Sequence, residues 1–130
     1  MKKMVQCMLL LTGMNMMGQT QLELNDAETK KYAAADKELN RVYQKILTEY
    51  KTDTTFIKNL KITQRIWMQF RDAEIKMKYP DRPDGYYGSI APMCWSIYLT
   101  QLTTTRTKTL QEWLKGTEEG DVCGGSQKVK

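Results

Sequence analysis

The side chains that could carry chemistry in this sequence are carboxylates and arginines, because the chain contains no histidine. Without histidine, the usual general base at neutral pH and the commonest metal ligand are both absent. A Ser–His or Cys–His nucleophile pair and a His-rich zinc site are therefore excluded, and we expect no cofactor and no metal. The sequence also has no Gly-rich phosphate loop, no Cys-x-x-Cys and no nucleophile elbow. We therefore predict that the protein is not an enzyme.

Six polar residues lie beside the apolar stripes of the predicted helices, where a charged side chain needs a partner. One interpretation is an inter-helix network that fixes the register of the helices, with arginine paired to a carboxylate. The other is a polar site for a ligand or for acid/base chemistry, since paired carboxylates can serve a hydrolase. A convex helical bundle offers little cleft for a substrate, so the structural interpretation is favoured. The six residues are Asp36, Asn40, Arg71, Asp72, Glu74 and Arg106.

A second group of candidates lies in or beside the segment PDRPDGYYGSIAP, residues 80–92, which contains all three prolines of the chain. Aromatic and arginine residues on a loop at the end of a bundle can form a protein-binding patch. The alternative is that the loop folds back and closes the end of the core, and the sequence does not separate these two interpretations. The candidate partner-binding residues are Asp81, Arg82, Asp84, Tyr86, Tyr87 and Trp95.

Long helices are predicted to position these residues, because neither glycine nor proline occurs over a long stretch before Pro80. Asn25 and Glu28 match a capping box and predict a first helix over roughly 26–51. Residues 52–54 offer capping side chains for a second helix, which should end just before Pro80. Apolar residues recur at steps of three and four along the helix axis. The stripes are Tyr32, Ala35, Leu39, Val42, Ile46 and Tyr50, then Phe56, Leu60, Thr63, Trp67, Phe70 and Met77.

A third helix is predicted from Ser89, as its cap, to Gly116, with Pro92 in its first turn. Short connections make neighbouring helices antiparallel, so the predicted fold class is all-α, an up-down-up antiparallel bundle of three long helices. The segment 117–130 lacks periodicity and carries three glycines, which predicts a disordered tail. The predicted inward face of the third helix consists of Ile90, Cys94, Ile97, Tyr98, Leu102, Thr105, Thr109 and Trp113.

Residues 1–18 are predicted to be a secretory signal peptide, with two early lysines, a short apolar run and then small residues. The run is too short to span a bilayer permanently, and Cys7 does not follow it as a lipid anchor requires. We therefore expect no stable membrane anchor and a periplasmic or secreted protein after cleavage. Cleavage removes two lysines and no acid, which leaves 18 basic against 15 acidic side chains, a net charge of +3. So small a charge does not favour nucleic-acid binding.

Three stretches carry a recognisable pattern: AADKELNRVYQKIL (34–47), LKITQRIWMQFRDAEI (60–75) and GSIAPMCWSIYLTQLTTTRTKTL (88–110). They resemble the LprI-type lysozyme inhibitor family. Its pattern runs Asp-x-x-Leu-Asn-x-x-Tyr, then Gln-Arg-x-Trp-x-x-Tyr-Arg-Asp-x-Glu-Cys, then Gly-Ser-x-x-Pro and Leu-Thr-x-x-Arg. The matching residues are Asp36, Leu39, Asn40, Tyr43, Gln64, Arg65, Trp67, Arg71, Asp72, Glu74, Gly88, Ser89, Leu102, Thr103 and Arg106.

The resemblance implies a small exported domain, here residues 19–116, that binds lysozyme and so protects the cell wall. Inhibition of that kind is steric, and the inhibitor performs no reaction. The net charge of +3 opposes an encounter with a basic lysozyme, although acids such as Asp81 and Asp84 offset it locally. The alternative is a periplasmic protein-interaction module with a partner other than lysozyme.

The cysteines depart from the family pattern. The resemblance implies a cysteine pair at the positions of Ile75 and Tyr98, and both cysteines are absent here. The chain has Cys94 and Cys123 instead. Gly116 lies roughly 33 Å along the helix from Cys94, and the residues onward to Cys123 reach at most about 25 Å. A long third helix therefore excludes an internal bridge, which leaves free thiols or a bridge between chains.

Overall fold

The computed structural model describes residues 20–130, and in this range the fold is all-α, as predicted. The three helices are α1 (Gln21–Glu49), α2 (Thr54–Lys78) and α3 (Ala91–Lys115). The predicted signal peptide, residues 1–18, lies outside the described residues.

Helices α1 and α3 run parallel to each other, and α2 runs antiparallel to both. Near the start of α1, Asn25 Nδ2 donates to the Ser89 carbonyl at 2.9 Å, just before α3 begins. Just after α1 ends, the Tyr50 hydroxyl donates to the Trp113 carbonyl at 2.8 Å, close to the end of α3. Phe56, at the start of α2, stacks on that same Trp113 with 6.1 Å between ring centroids. This is the predicted up-down-up arrangement, with α1 packed much more closely along α3 than α2 is.

The first helix begins earlier than predicted because a different capping box starts it. Thr20 Oγ1 accepts a hydrogen bond from the Glu23 amide at 3.2 Å, and the Thr20 amide donates to Glu23 Oε2 at 3.0 Å. These bonds satisfy two donors that the first turn would otherwise leave without partners. The prediction that Asn25 caps this helix is therefore wrong, and Asn25 lies inside α1.

The other two helices follow the predicted bounds with one difference. Asp53 caps α2, since its Oδ1 accepts from the backbone amide three residues on at 2.9 Å. Ser89 does not cap α3, because the capping position is Ile90, which makes no side-chain hydrogen bond there. Pro92 lies in the first turn, where its missing N–H costs no helical bond. Gly116 ends α3 with a φ of 79°, a left-handed value that favours glycine.

The hydrophobic core lies along the face of α1 that meets both other helices. The predicted stripe of α1 is confirmed from Leu39 onward, and Val42 and Ile46 have no exposed surface. Half-buried aromatic and aliphatic side chains of α2 and α3 surround this centre. The fully buried apolar cluster consists of Leu39, Val42, Ile46, Tyr50, Leu60 and Leu110.

The inward face of α2 is predicted correctly only in part, since Phe56, Leu60 and Trp67 pack against the core as predicted. Gln64 and Arg71 are buried, whereas Phe70 and Met77 are 49% and 67% exposed. Phe56, Leu60, Gln64, Trp67 and Arg71 follow steps of four and three residues, so they share one side of the helix. The predicted stripe therefore departs from the core face at Phe70 and Met77, and it omits the polar residues that are buried in their place.

The buried face of α3 is not the predicted one, and apart from Leu110 it consists of small and hydroxyl-bearing residues. The Thr107 hydroxyl is satisfied by donating to the Thr103 carbonyl one turn earlier at 3.0 Å. The Thr103 hydroxyl is buried without a hydrogen-bond partner among residues 20–130. Close packing of α1 on α3 uses this shallow face. The buried residues of α3 are Ala91, Ser96, Thr103, Thr107 and Leu110.

The segment after α3, for which disorder is predicted, instead folds back against the end of the bundle. The Thr117 amide donates to the Lys128 carbonyl at 2.9 Å. The Lys128 amide in turn donates to the Tyr50 hydroxyl at 2.9 Å. The indole of Trp113 donates to Ser126 Oγ at 2.9 Å. These contacts with side chains of the bundle hold the segment in place.

Replacing Tyr50 with Phe is expected to lower the free energy of unfolding by about 1–2 kcal/mol, because two partners of the hydroxyl lose a hydrogen bond. One partner is the amide of Lys128, so its hydrogen exchange should become at least about tenfold faster. Urea denaturation and amide exchange measure the two effects. Tyr43→Phe is the matched control, since the Tyr43 hydroxyl makes no hydrogen bond within residues 20–130. Equal effects of the two substitutions would contradict the role of Tyr50 in holding the C-terminal segment.

Candidate functional site

The first candidate site is the 79–90 loop, which joins α2 to α3 at one end of the bundle. Two backbone hydrogen bonds shape it, from the Tyr86 amide to the Pro83 carbonyl at 3.1 Å and from Gly88 to Gly85 at 3.0 Å. Both glycines have a positive φ, 79° at Gly85 and 72° at Gly88, which other residues rarely adopt. The loop therefore has a defined backbone of consecutive turns.

Aromatic rings hold this loop against the helices. The ring of Tyr87 meets Tyr79 edge-on at 5.6 Å between centroids, and Tyr79 meets Trp95 of α3 at 6.2 Å. The Tyr87 hydroxyl donates to the Pro80 carbonyl at 2.7 Å. Because Tyr87 is half-buried and bonded in this way, it closes the end of the bundle, as one of the two sequence interpretations expects.

Tyr86 is the side chain that projects from the loop. It is 65% exposed, and its ring stands at 82° to the ring of Tyr87, 4.9 Å away. The guanidinium of Arg82 lies 5.8 Å from its centroid, which is a cation–π distance. Asp81 and Asp84 are exposed and form no ion pair within the described part of the chain. The loop thus presents a ring, a cation and two carboxylates around a pocket of about 300 Å³.

Arg71 is the centre of the second group of predicted residues. Its Nη1 donates to Asp36 on α1 at 3.0 Å, and its Nε lies 3.4 Å from Asp72. The guanidinium also lies 5.9 Å from the ring centroid of Tyr32 and 5.4 Å from that of Trp67. The arginine is buried while both carboxylates reach solvent, so the charge is paired between helices with water on one side.

The remaining predicted polar residues do not join this group. Glu74 accepts a hydrogen bond from the Tyr98 hydroxyl at 2.8 Å, and that bond raises the pKa of the Tyr98 phenol. Arg106 Nε donates to Gln64 Oε1 at 3.0 Å. Asn40 is exposed and makes no side-chain hydrogen bond among residues 20–130. The structure therefore shows three separate contacts between helices in place of one network.

Four participants in these contacts are not among the six predicted polar residues: Tyr32, Gln64, Trp67 and Tyr98. Gln64 lies seven residues before Arg71, and Tyr32 lies four residues before Asp36. Residues at such separations share one side of a helix. The spacing was thus a signal for Gln64 and Tyr32, although it could not identify Arg106 as the partner of Gln64.

The two cysteines of the described residues form no disulfide. Cys94 is half-buried, Cys123 is exposed, and both are free thiols. At the two positions where the resemblance implies a cysteine pair, Ile75 is half-buried and Tyr98 is hydrogen-bonded to the neighbouring Glu74. A side-chain contact between α2 and α3 therefore exists at this level without a disulfide.

Two further classes of site, a membrane-spanning helix and a metal centre, are absent from the described residues. No helix of residues 20–130 is long and apolar enough to cross a membrane. In the same residues, no group of three or more Cys, Asp or Glu side chains is arranged to hold a metal ion.

Comparison with known proteins gives one family and one relative. A family model described as Lysozyme inhibitor LprI matches residues 13–110. An uncharacterized protein of Rhizobium meliloti (strain 1021) is 29% identical over 110 residues, which cover 76% of this chain and 77% of the relative. No solved structure matches the chain.

Proposed function

The chain belongs to the LprI lysozyme inhibitor family, and we propose that it is an exported binding protein that blocks a cell-wall hydrolase of the lysozyme type. The block is steric: the 79–90 loop occupies the substrate cleft of the enzyme, and the inhibitor carries out no reaction. An exposed side chain on an ordered loop suits this task, because a preordered loop loses little conformational entropy on binding.

The observation that carries this proposal is the position of Tyr86. Its ring is exposed and yet supported by Tyr87 and by Arg82. Exposed aromatic and arginine side chains supply much of the binding energy at protein interfaces. A loop at the end of a bundle that presents such a ring can enter a concave enzyme cleft.

The local charge of the loop also supports a basic target. Residues 79–90 carry Asp81 and Asp84 against one cation, Arg82, so the loop itself is net negative although the whole chain is net positive. Opposite local charges raise the rate of association and are screened by salt. We therefore expect binding to a basic lysozyme to weaken as salt is raised.

A lysis assay with the purified protein tests the proposal, using a basic and a neutral lysozyme at low and moderate salt. We expect dose-dependent protection that Tyr86→Ala weakens at least about tenfold, the loss typical of an interface hot spot. Phe70→Ala is the matched control, since Phe70 is also an exposed aromatic ring, on the side of α2. A direct binding measurement on the same samples separates loss of binding from loss of inhibition, and circular dichroism shows whether each variant is folded.

The outcomes distinguish the proposal from its alternative, a periplasmic interaction module with another partner. Protection lost with Phe70→Ala and kept with Tyr86→Ala would move the site to the side of α2. Absence of binding to either enzyme at tens of micromolar would contradict lysozyme inhibition for those targets and favour the alternative.

A further inference from the structure

A second concave surface lies at the end of the bundle opposite the 79–90 loop. The start of α2, the end of α3 and the C-terminal segment enclose a pocket of about 390 Å³. This volume falls at the lower end of the range for small-molecule sites, about 300–1,000 Å³. The floor is apolar and is formed by Phe56, Leu60, Leu110 and Trp113. We call it the Arg106 pocket, after the charged residue in its wall.

Arg106 has unused hydrogen-bonding capacity in this pocket. Its Nε donates to Gln64 Oε1 at 3.0 Å, and its two terminal nitrogens make no hydrogen bond to residues 20–130. The side chain is half-buried and forms no ion pair with a carboxylate of the described chain. Burial lowers the pKa of Arg106, because no nearby carboxylate compensates the loss of solvent.

Arg71, the other arginine at a helix interface, has the carboxylate partners expected of a guanidinium with a structural role. Arg71 contacts the carboxylates of Asp36 and Asp72 and lies over two aromatic rings. Arg106 has a neutral amide as its one polar partner. A half-buried guanidinium in the wall of an apolar pocket, with terminal N–H donors that no residue of 20–130 uses, is suited to a carboxylate from outside the chain.

No acidic side chain of the pocket lining forms an ion pair with Arg106. Asp53 is the one acid among the lining residues, and its Oδ1 already caps α2. It lies eleven residues before Gln64, or about 16 Å along the helix. Ser126 Oγ is engaged by the Trp113 indole. The Arg106 guanidinium thus lies beside the apolar floor, and the Asp53 carboxylate lies farther away along α2.

We propose that the Arg106 pocket binds a small amphipathic monocarboxylate. The carboxylate accepts hydrogen bonds from the terminal nitrogens of Arg106, and an aromatic or aliphatic tail covers the floor between Leu60 and Trp113. This site is independent of lysozyme inhibition, because Arg106 lies about 22 Å along α3 from Ala91, where the loop ends.

The test uses the full chain and two probes of equal shape, 4-phenylbutyrate and its neutral amide 4-phenylbutanamide. Titration followed by two-dimensional NMR locates the site from the indole signal of Trp113 and the methyl signals of Leu60 and Leu110. We expect the acid to bind at least about tenfold more tightly than the amide, because a hydrogen bond to a charged group is the stronger one. Arg106→Gln should abolish that difference, and Arg65→Gln, which removes an exposed charge, should preserve it.

Each outcome decides the proposal. Three results would overturn it. They are equal binding of the acid and the amide, signals that move on the 79–90 loop in place of Trp113, and no binding of the acid at about 10 millimolar, where a ligand with a Kd of about 1 millimolar would nearly saturate the site. Should Arg106→Gln fail to fold, the comparison of acid with amide on the unaltered protein still gives the answer. Arg106→Lys then serves as the second variant, with the charge kept and the paired donors lost.

Discussion

Replacing Ile46 with Ala is expected to lower the free energy of unfolding by about 3 kcal/mol, the largest effect of any substitution considered. Ile46 has no exposed surface and lies at the centre of the apolar cluster on α1. The truncated side chain loses its transfer free energy, and the surrounding side chains cannot fully collapse into the cavity. In a domain of this size the melting temperature should fall by roughly 15 °C. Urea denaturation followed by circular dichroism measures the change. The slope of the unfolding free energy against urea concentration should stay the same.

Ile66→Ala is the matched control for Ile46→Ala. Ile66 is 57% exposed on the side of α2 that faces away from the core. The same truncation there should change the free energy of unfolding by less than about 0.5 kcal/mol. Similar losses at the two positions would show that α1 does not supply the core.

Helices α1 and α2 illustrate how far apolar periodicity predicts this fold. On α1 the stripe through Leu39, Val42 and Ile46 is almost purely apolar, so its inward face follows from spacing alone. On α2 the predicted stripe is only partly right, because the inward face also includes Gln64 and Arg71, which an apolar pattern omits. A polar residue is buried at low cost only if a partner on another helix satisfies it, and a local pattern contains no information on that partner.

Long-range partners also explain the errors at the chain ends. Thr20 and Asn25 each begin a stretch that satisfies the chemistry of a capping box, so local sequence does not choose between them. In the structure Asn25 instead bonds to Ser89 from inside the helix. The glycine-rich segment after α3 is ordered by bonds to Tyr50 and Trp113, and Tyr50 lies 78 residues before its partner.

The 79–90 loop was the more predictable of the two candidate groups, because most of its members are consecutive in the chain. Proline and glycine bound it, and only Trp95 had to be brought in from α3. The polar group was predicted less completely. Arg71 does pair with Asp36 and Asp72, whereas Glu74 and Arg106 have partners of their own, Tyr98 and Gln64.

Replacing Arg71 with Ala is expected to lower the free energy of unfolding by about 2–3 kcal/mol. The substitution removes the ion pair with Asp36, the contacts with two aromatic rings and the packing of a long aliphatic stem. The figure lies below the roughly 3–5 kcal/mol lost when a fully buried pair is broken, because Asp36 reaches solvent and remains hydrated. Chemical denaturation measures the loss, and Arg65→Ala, at an exposed position of the same helix, should change stability by less than about 0.5 kcal/mol.

Arg71→Met separates the two contributions to this loss. Methionine fills much of the same volume and can contact the rings of Tyr32 and Trp67, but it cannot bond to Asp36. If packing dominates, Arg71→Met should recover at least half of what Arg71→Ala loses, which is common when an apolar residue replaces a buried charge. If the ion pair dominates, the two variants should be equally unstable, and Asp36→Asn should be destabilising in the wild-type chain but neutral in either variant. We expect the first result, because the rings enclose the guanidinium while its carboxylate partners remain in contact with water.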